Sequence, residues 1–160
     1  MEPISIVLAG FSGMLGIIIG VVVSSAAREE LKAYSATFSI LREYAFLIAA
    51  GAFLFQVEIM LLLVGLFLLV ITLKAFSDAE KSNTIVVLHV ILLILVAETS
   101  LFGFIASMFL VVGVLEGGWW SSKHEPLLKR GLFKRELWAR VFKDHALFLA
   151  LPFANAVLLL

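Results

Sequence analysis

Two glutamates interrupt the long apolar stretches of this 160-residue chain. Glu58 lies within the stretch from Ala45 to Phe76, and Glu98 lies within the stretch from Thr84 to Leu115. An acidic side chain at the centre of a membrane helix costs about 2.5–3.5 kcal/mol on insertion scales, and such residues mark ion or proton routes. Carboxylates in this position act by reversible protonation, so we predict that Glu58 and Glu98 form a proton relay.

The sequence predicts a similar membrane depth for both glutamates. Glu58 is 16 residues before Lys74, and Glu98 is 14 residues after Thr84, on either side of one short polar connection. At about 1.5 Å per helical residue, they lie about 24 Å and 21 Å from the same membrane surface. Neighbouring carboxylates at one depth can hold a single shared proton, which a relay requires. The alternative is that each glutamate is a neutral, hydrogen-bonded packing residue.

His89 is a third titratable side chain deep within an apolar stretch. It precedes Glu98 by nine residues, which places it on the opposite side of the helix. We therefore expect His89 either to extend the proton relay or to bond another subunit. No second histidine stands in an apolar stretch to bind haem, and the chain has no metal-ligand spacing, nucleophile motif or nucleotide-binding loop. The sequence thus predicts no metal and no cofactor on this chain.

The composition defines the setting in which these side chains must be positioned. Apolar residues make up 62% of the chain and charged residues 15%, with a mean hydropathy of +1.13. Ordinary soluble domains are about 45–50% apolar and about 25% charged, so a water-soluble enzyme is excluded and an integral membrane protein is predicted. The absence of cysteine excludes a disulfide scaffold, and a net charge of zero argues against nucleic acid as a partner.

Three apolar stretches predict three transmembrane helices, at Ile4–Ala26, Ala45–Phe76 and Thr84–Leu115. The polar segment Ser77–Asn83 is expected to join the second and third helices as an antiparallel hairpin. The segment Ala27–Tyr44 has apolar residues at helical spacing, and it fits either a short interfacial helix or an extension of the second helix. In the first helix, small residues at intervals of three and four predict close packing against another helix: Gly10, Gly13, Gly16 and Gly20.

The region after Glu116 has a different character. The pair Gly117 and Gly118 is expected to end the third helix, with tryptophans at the membrane boundary. Beyond Pro126, apolar residues between Leu128 and Phe142 share one face while most basic residues lie elsewhere, which predicts an amphipathic helix on anionic lipid. Basic residues are concentrated in this tail and in the first connection, so the positive-inside rule places the C-terminus in the cytoplasm or mitochondrial matrix.

The residues around the two glutamates resemble a known family. The sequence Leu54-Phe55-Gln56-Val57-Glu58-Ile59-Met60 resembles the second helix of the small proton-channel subunit of respiratory complex I, called K in bacteria and 4L in mitochondria. The sequence Val96-Ala97-Glu98-Thr99-Ser100 resembles the third helix of that family, and the 40-residue interval between the glutamates is similar. The resemblance extends over about residues 4–112.

This resemblance implies a function for the whole chain. It would be an all-α integral membrane protein with a three-helix proton-channel domain, residues 1–116, and an amphipathic helical C-terminal extension, residues 117–160. It would serve as a non-redox membrane-arm subunit of a proton-pumping NADH:ubiquinone oxidoreductase, with Glu58 and Glu98 in proton translocation. The chain would have no catalytic activity alone, since FMN, iron–sulfur clusters and quinone belong to other subunits.

Two other functions stay open. The related subunits of Mrp-type cation/proton antiporters and membrane-bound hydrogenases share the same pattern, and a structural accessory subunit would use the acids only for packing. The expected location is a mitochondrial inner membrane or a prokaryotic plasma membrane. Departures from the complex I pattern are the longer first connection, Gln56-Val57 before the glutamate, and the long tail.

Overall fold

The chain folds into α-helices that pack side by side. The structure, a computed structural model, describes residues 3–27, 29–54, 78–95, 102–148, 150 and 154. Within these residues the helices are α1 (Pro3–Ala26), α2 (Leu31–Leu54), α3 (Asp78–Leu95), α4 (Phe102–Lys123), α5 (Glu125–Lys129) and α6 (Arg135–Asp144). In the described part of the chain, three segments are long and apolar enough to cross a membrane: Val7–Ala26, Ala33–Phe53 and Phe102–Lys123. The predicted all-helical fold is confirmed, as is the presence of three helices able to cross a membrane, although the second and third of them have other bounds than predicted.

The second of these helices begins earlier than the apolar stretch predicted. Helix α2 is continuous from Leu31, so most of Ala27–Tyr44 is an extension of the second helix and the separate interfacial helix is wrong. Neither proline nor glycine occurs between Leu31 and Ala50 to interrupt it.

The predicted third helix, Thr84–Leu115, is wrong as a single span. His89 Nε2 lies 3.1 Å from the carbonyl oxygen of Ile105, whereas 16 residues of continuous helix would separate them by about 24 Å. The stretch therefore contributes to two helices, α3 and α4, that pack against each other. The predicted polar connection is also helical from Asp78 onward.

Of the described helices, α1 and α4 are in the closest contact. An added Cβ at Gly113 would meet backbone atoms of Gly13 and Gly16, and one at Gly117 would meet those of Ile17 and Gly20. This confirms the predicted close approach for three of the α1 glycines. The prediction that Gly117 and Gly118 end the helix is wrong, since α4 continues to Lys123 and uses these glycines for packing.

The paired residues also give the direction of each helix. Along both helices the contacting residues have increasing numbers, from Gly13 beside Gly113 to Gly20 beside Gly117, so α1 and α4 are parallel. Phe38 of α2 lies against Gly118 while Arg42 pairs with Glu116, so α2 runs antiparallel to α4. The end of α1, the start of α2 and the end of α4 consequently lie together, at what we call the Lys123 end of the bundle.

The segment after α4 forms two short helices instead of one amphipathic helix. Gly131, with a φ of 106°, interrupts the helical path between α5 and α6. Leu128, Leu137 and Val141 are buried against the rest of the chain. These three residues of the face predicted to lie on lipid are therefore used within the protein, whereas Phe142 is 44% exposed and Phe133 is fully exposed.

Candidate functional site

A charged pair is buried between two of the membrane-spanning helices. Arg42 of α2 and Glu116 of α4 have 0% and 2% of their surface exposed. The Arg42 Nη1 group donates a hydrogen bond to Glu116 Oε2. The guanidinium carbon also lies 5.2 Å from the centre of the Trp119 ring, which places a second favourable partner against the cation. Antiparallel packing of α2 on α4 creates this pair.

His145 brings a third titratable group to the same carboxylate. Its Nε2 atom lies 3.5 Å from Glu116 Oε1, and its Nδ1 atom lies 2.9 Å from the carbonyl oxygen of Val141. A carbonyl oxygen only accepts hydrogen bonds, so Nδ1 carries a proton. The Nε2 atom therefore faces Glu116 Oε1, and a shift of about 0.5 Å would bring the two atoms to an ordinary hydrogen-bonding distance. We call Arg42, Glu116 and His145 the Glu116 cluster.

The Glu116 cluster does not satisfy all the hydrogen-bonding groups of Arg42. Its Nε and Nη2 groups find no hydrogen-bond partner among the described residues, although the side chain is fully buried. Buried ion pairs that only stabilise a fold need additional hydrogen bonds to offset the loss of hydration. Among the described residues, the Nε and Nη2 groups of Arg42 make no such hydrogen bonds.

Aromatic rings connect the Glu116 cluster to the interior of the bundle. His145 lies beside Phe148, which stacks on Phe109 at 5.2 Å, and Phe109 stacks on His89 at 4.8 Å. His89 is fully buried and bonded to the Ile105 carbonyl of its own chain. This burial contradicts a bond from His89 to another subunit, and its membership of a proton relay stays a prediction.

Asp144 fastens the segment after α4 to the same end of the bundle. One of its carboxylate oxygens accepts hydrogen bonds from Trp120 Nε1 at 3.0 Å and from Arg140 Nε at 2.9 Å. Partial burial acts to raise the pKa of Asp144, but these two donors and the charge of Arg140 outweigh it and lower the pKa below its ordinary value of 3.8.

The lowered pKa of Asp144 predicts a pH-dependent contribution to stability. A depressed carboxyl pKa stabilises the folded state above the ordinary value, and this contribution disappears as the pH falls through the folded value. We expect wild type to be more stable than D144N at neutral pH, and the difference to shrink as the pH falls below 3.8 and to vanish below the folded-state pKa. Thermal unfolding of both proteins across this pH range measures it. A difference that is constant with pH would contradict the role of the charge.

The two glutamates predicted from the sequence, Glu58 and Glu98, lie outside the described residues. Within the residues described, no group of three His, Asp or Glu side chains could hold a metal ion. The residues that the structure does bring together, Arg42, Glu116 and His145, were not predicted as a site. The available signal was a basic and an acidic residue at the ends of apolar stretches, followed in one case by two tryptophans.

The three long apolar helices among the described residues are consistent with a multi-pass membrane protein. Comparison of the chain with protein-family models, with curated proteins and with solved structures gives no match.

Proposed function

We propose that this chain is a proton-transferring subunit of an energy-converting membrane complex. The observation that carries the proposal is the Glu116 carboxylate, buried between the Arg42 guanidinium and the His145 imidazole. A carboxylate and an imidazole that face each other can exchange one proton, and an adjacent fixed cation makes that exchange sensitive to small movements of the pair. Ionisable residues inside a membrane bundle typically serve such pathways.

The proposal takes its most specific form from the resemblance to the proton-channel subunit of respiratory complex I. Glu58 and Glu98 are the proposed proton-relay residues within the membrane. The Glu116 cluster is a further proposed proton-transfer site near the Lys123 end. The chain is then a non-redox subunit in a mitochondrial inner membrane or a prokaryotic plasma membrane. Its neighbours in the membrane arm are its partners, and its C-terminus lies on the matrix or cytoplasmic side.

Replacing Glu58 or Glu98 by glutamine is expected to leave assembly intact and to weaken proton pumping by about tenfold or more, in line with the loss of a positioned acid–base group. The test uses the purified complex in proteoliposomes, with pumping measured by a pH-sensitive dye. Glu136, whose side chain is 74% exposed, supplies the control, E136Q, which removes a carboxyl from the surface.

Unimpaired pumping in both E58Q and E98Q would contradict the proton relay. Loss of the assembled complex in these variants would instead favour the structural alternative, in which the acids serve packing alone. That alternative has an observation of its own, because the Glu116 cluster ties α2, α4 and the segment after α6 together.

The co-purifying proteins distinguish complex I from its relatives. Mild-detergent purification followed by mass spectrometry should recover flavin and iron–sulfur subunits if the chain belongs to an NADH:quinone oxidoreductase. Recovery of antiporter subunits without redox subunits would identify the Mrp type, and recovery of hydrogenase subunits would identify the third relative.

A further inference from the structure

The turn between α5 and α6 combines a fully exposed aromatic ring with a group of cations. Phe133 has 101% of its surface exposed, and three basic residues lie close to it in the sequence: Arg130, Lys134 and Arg135. We propose that this turn binds the phosphate headgroups of anionic phospholipids, with Phe133 inserted among the acyl chains. The proposal is independent of the proton-transfer function.

The turn is held in the shape that exposes Phe133. Gly131 adopts a φ of 106°, a conformation that favours glycine, and so redirects the chain at this point. Trp138 Nε1 donates a hydrogen bond of 2.7 Å to the carbonyl oxygen of Leu132. Leu128 and Leu137 are buried on either side and fasten the turn to the protein. A ring presented in this way is removed from water when it enters an apolar phase.

The cations of the turn are available for an anionic ligand. Arg130, Lys134 and Arg135 line one surface depression together with Glu136. Glu136 Oε2 lies 3.3 Å from Arg130 Nη1, and both of these side chains are largely exposed. Among the described residues no carboxylate pairs with Lys134 or Arg135. The three basic residues and one acid therefore give the depression a net positive charge, which phosphate oxygens can neutralise.

The location of the turn identifies the bilayer as the source of the phosphate. Helix α5 follows the end of α4 after one residue, at the Lys123 end where all three membrane-spanning helices terminate. The headgroups of the membrane that these helices cross therefore lie beside the turn. Leu137 and Val141 of the apolar face of α6 are buried in the protein, so we assign contact with anionic lipid to the turn instead of to these residues.

Native mass spectrometry of the full chain in detergent tests the proposal. The probes are phosphatidylglycerol and phosphatidylcholine with the same acyl chains. We expect wild type to bind the anionic lipid on the order of tenfold more tightly, because each basic residue near an anionic lipid contributes to the attraction. The variant K134Q/R135Q should remove this preference. The variant F133A should weaken the binding of both lipids by the same factor.

Two matched variants serve as controls. K129Q/K143Q removes the same number of charges elsewhere and should keep the preference, and F104A removes an exposed ring from α4 and should leave binding unchanged. Equal binding of the two lipids by wild type would overturn the proposal. An equal loss in K129Q/K143Q would show a diffuse charge effect, and displacement of phosphatidylglycerol by millimolar inorganic phosphate would show a soluble anion as the ligand; both results would also overturn it.

Discussion

Alanine in place of Gly117 is expected to push α1 and α4 apart and to lower the free energy of unfolding by about 1–3 kcal/mol. A Cβ at this position would overlap the carbonyl oxygen of Ile17 and lie 3.1 Å from the Cα of Gly20. Both are backbone atoms, so no change of rotamer can relieve the collision and one helix must move. Valine at Gly117 should cost more. Unfolding in detergent micelles, followed by circular dichroism, measures these differences.

Two other glycines provide controls for this prediction. A Cβ at Gly51 of α2 or at Gly103 of α4 would meet no atom within 4 Å. Alanine forms helices more readily than glycine, so G51A and G103A should leave stability unchanged or raise it slightly. If G117A unfolded at the same denaturant concentration as G51A, the close contact of α1 with α4 would not be what stabilises the bundle.

The expected size of this effect follows from the membrane environment. Lipid chains are as apolar as leucine, so two helices in lipid gain little from burying apolar side chains and depend on close van der Waals packing. The outer face of α1 is exposed at Leu8 and Leu15, which leaves the glycine face to hold the helix in place. Because Glu116 directly precedes Gly117, this same contact also fixes the position of the charged cluster.

The glycine spacing of α1 could be interpreted from the sequence because it depends on local helical geometry. Gly13, Gly16 and Gly20 share a face through their intervals alone, and the structure confirms the close approach. The partner surface could not be predicted in the same way. Gly117 and Gly118 have the composition of a helix end, and only their packing against α1 and Phe38 keeps them within a helix.

The charged cluster was missed for a related reason. Arg42 and Glu116 lie near the ends of the apolar stretches, so the sequence assigned them to a connection and to a boundary. Their pairing needs the antiparallel packing of α2 on α4, which joins residues 74 positions apart. His145 is added by the segment after α6. The spacing of residues in the sequence does not predict these contacts. The hydropathy of the sequence does predict three helices able to span a membrane.

Leucine in place of Glu116 is expected to be among the most damaging substitutions, lowering the free energy of unfolding by about 3–5 kcal/mol. It would leave the fully buried Arg42 guanidinium without its counter-charge. The double variant R42M/E116L should recover most of that stability, because replacing both members of a buried pair by apolar residues is often neutral or stabilising. Chemical unfolding of the two single variants and the double variant completes the cycle. Additive losses would contradict a direct interaction.

A substitution at His145 can separate an effect on stability from an effect on proton transfer. In H145N, the asparagine amide can replace Nδ1 as the donor to the Val141 carbonyl, but nothing titratable then faces Glu116. We therefore expect H145N to fold with nearly wild-type stability and to lose proton transfer by about tenfold or more in proteoliposomes. R42M/E116L should likewise be folded and inactive. Normal proton transfer in a stable H145N protein would limit the Glu116 cluster to a structural role. Loss of proton transfer in both stable variants would show that transfer depends on a proton exchanged between His145 and Glu116.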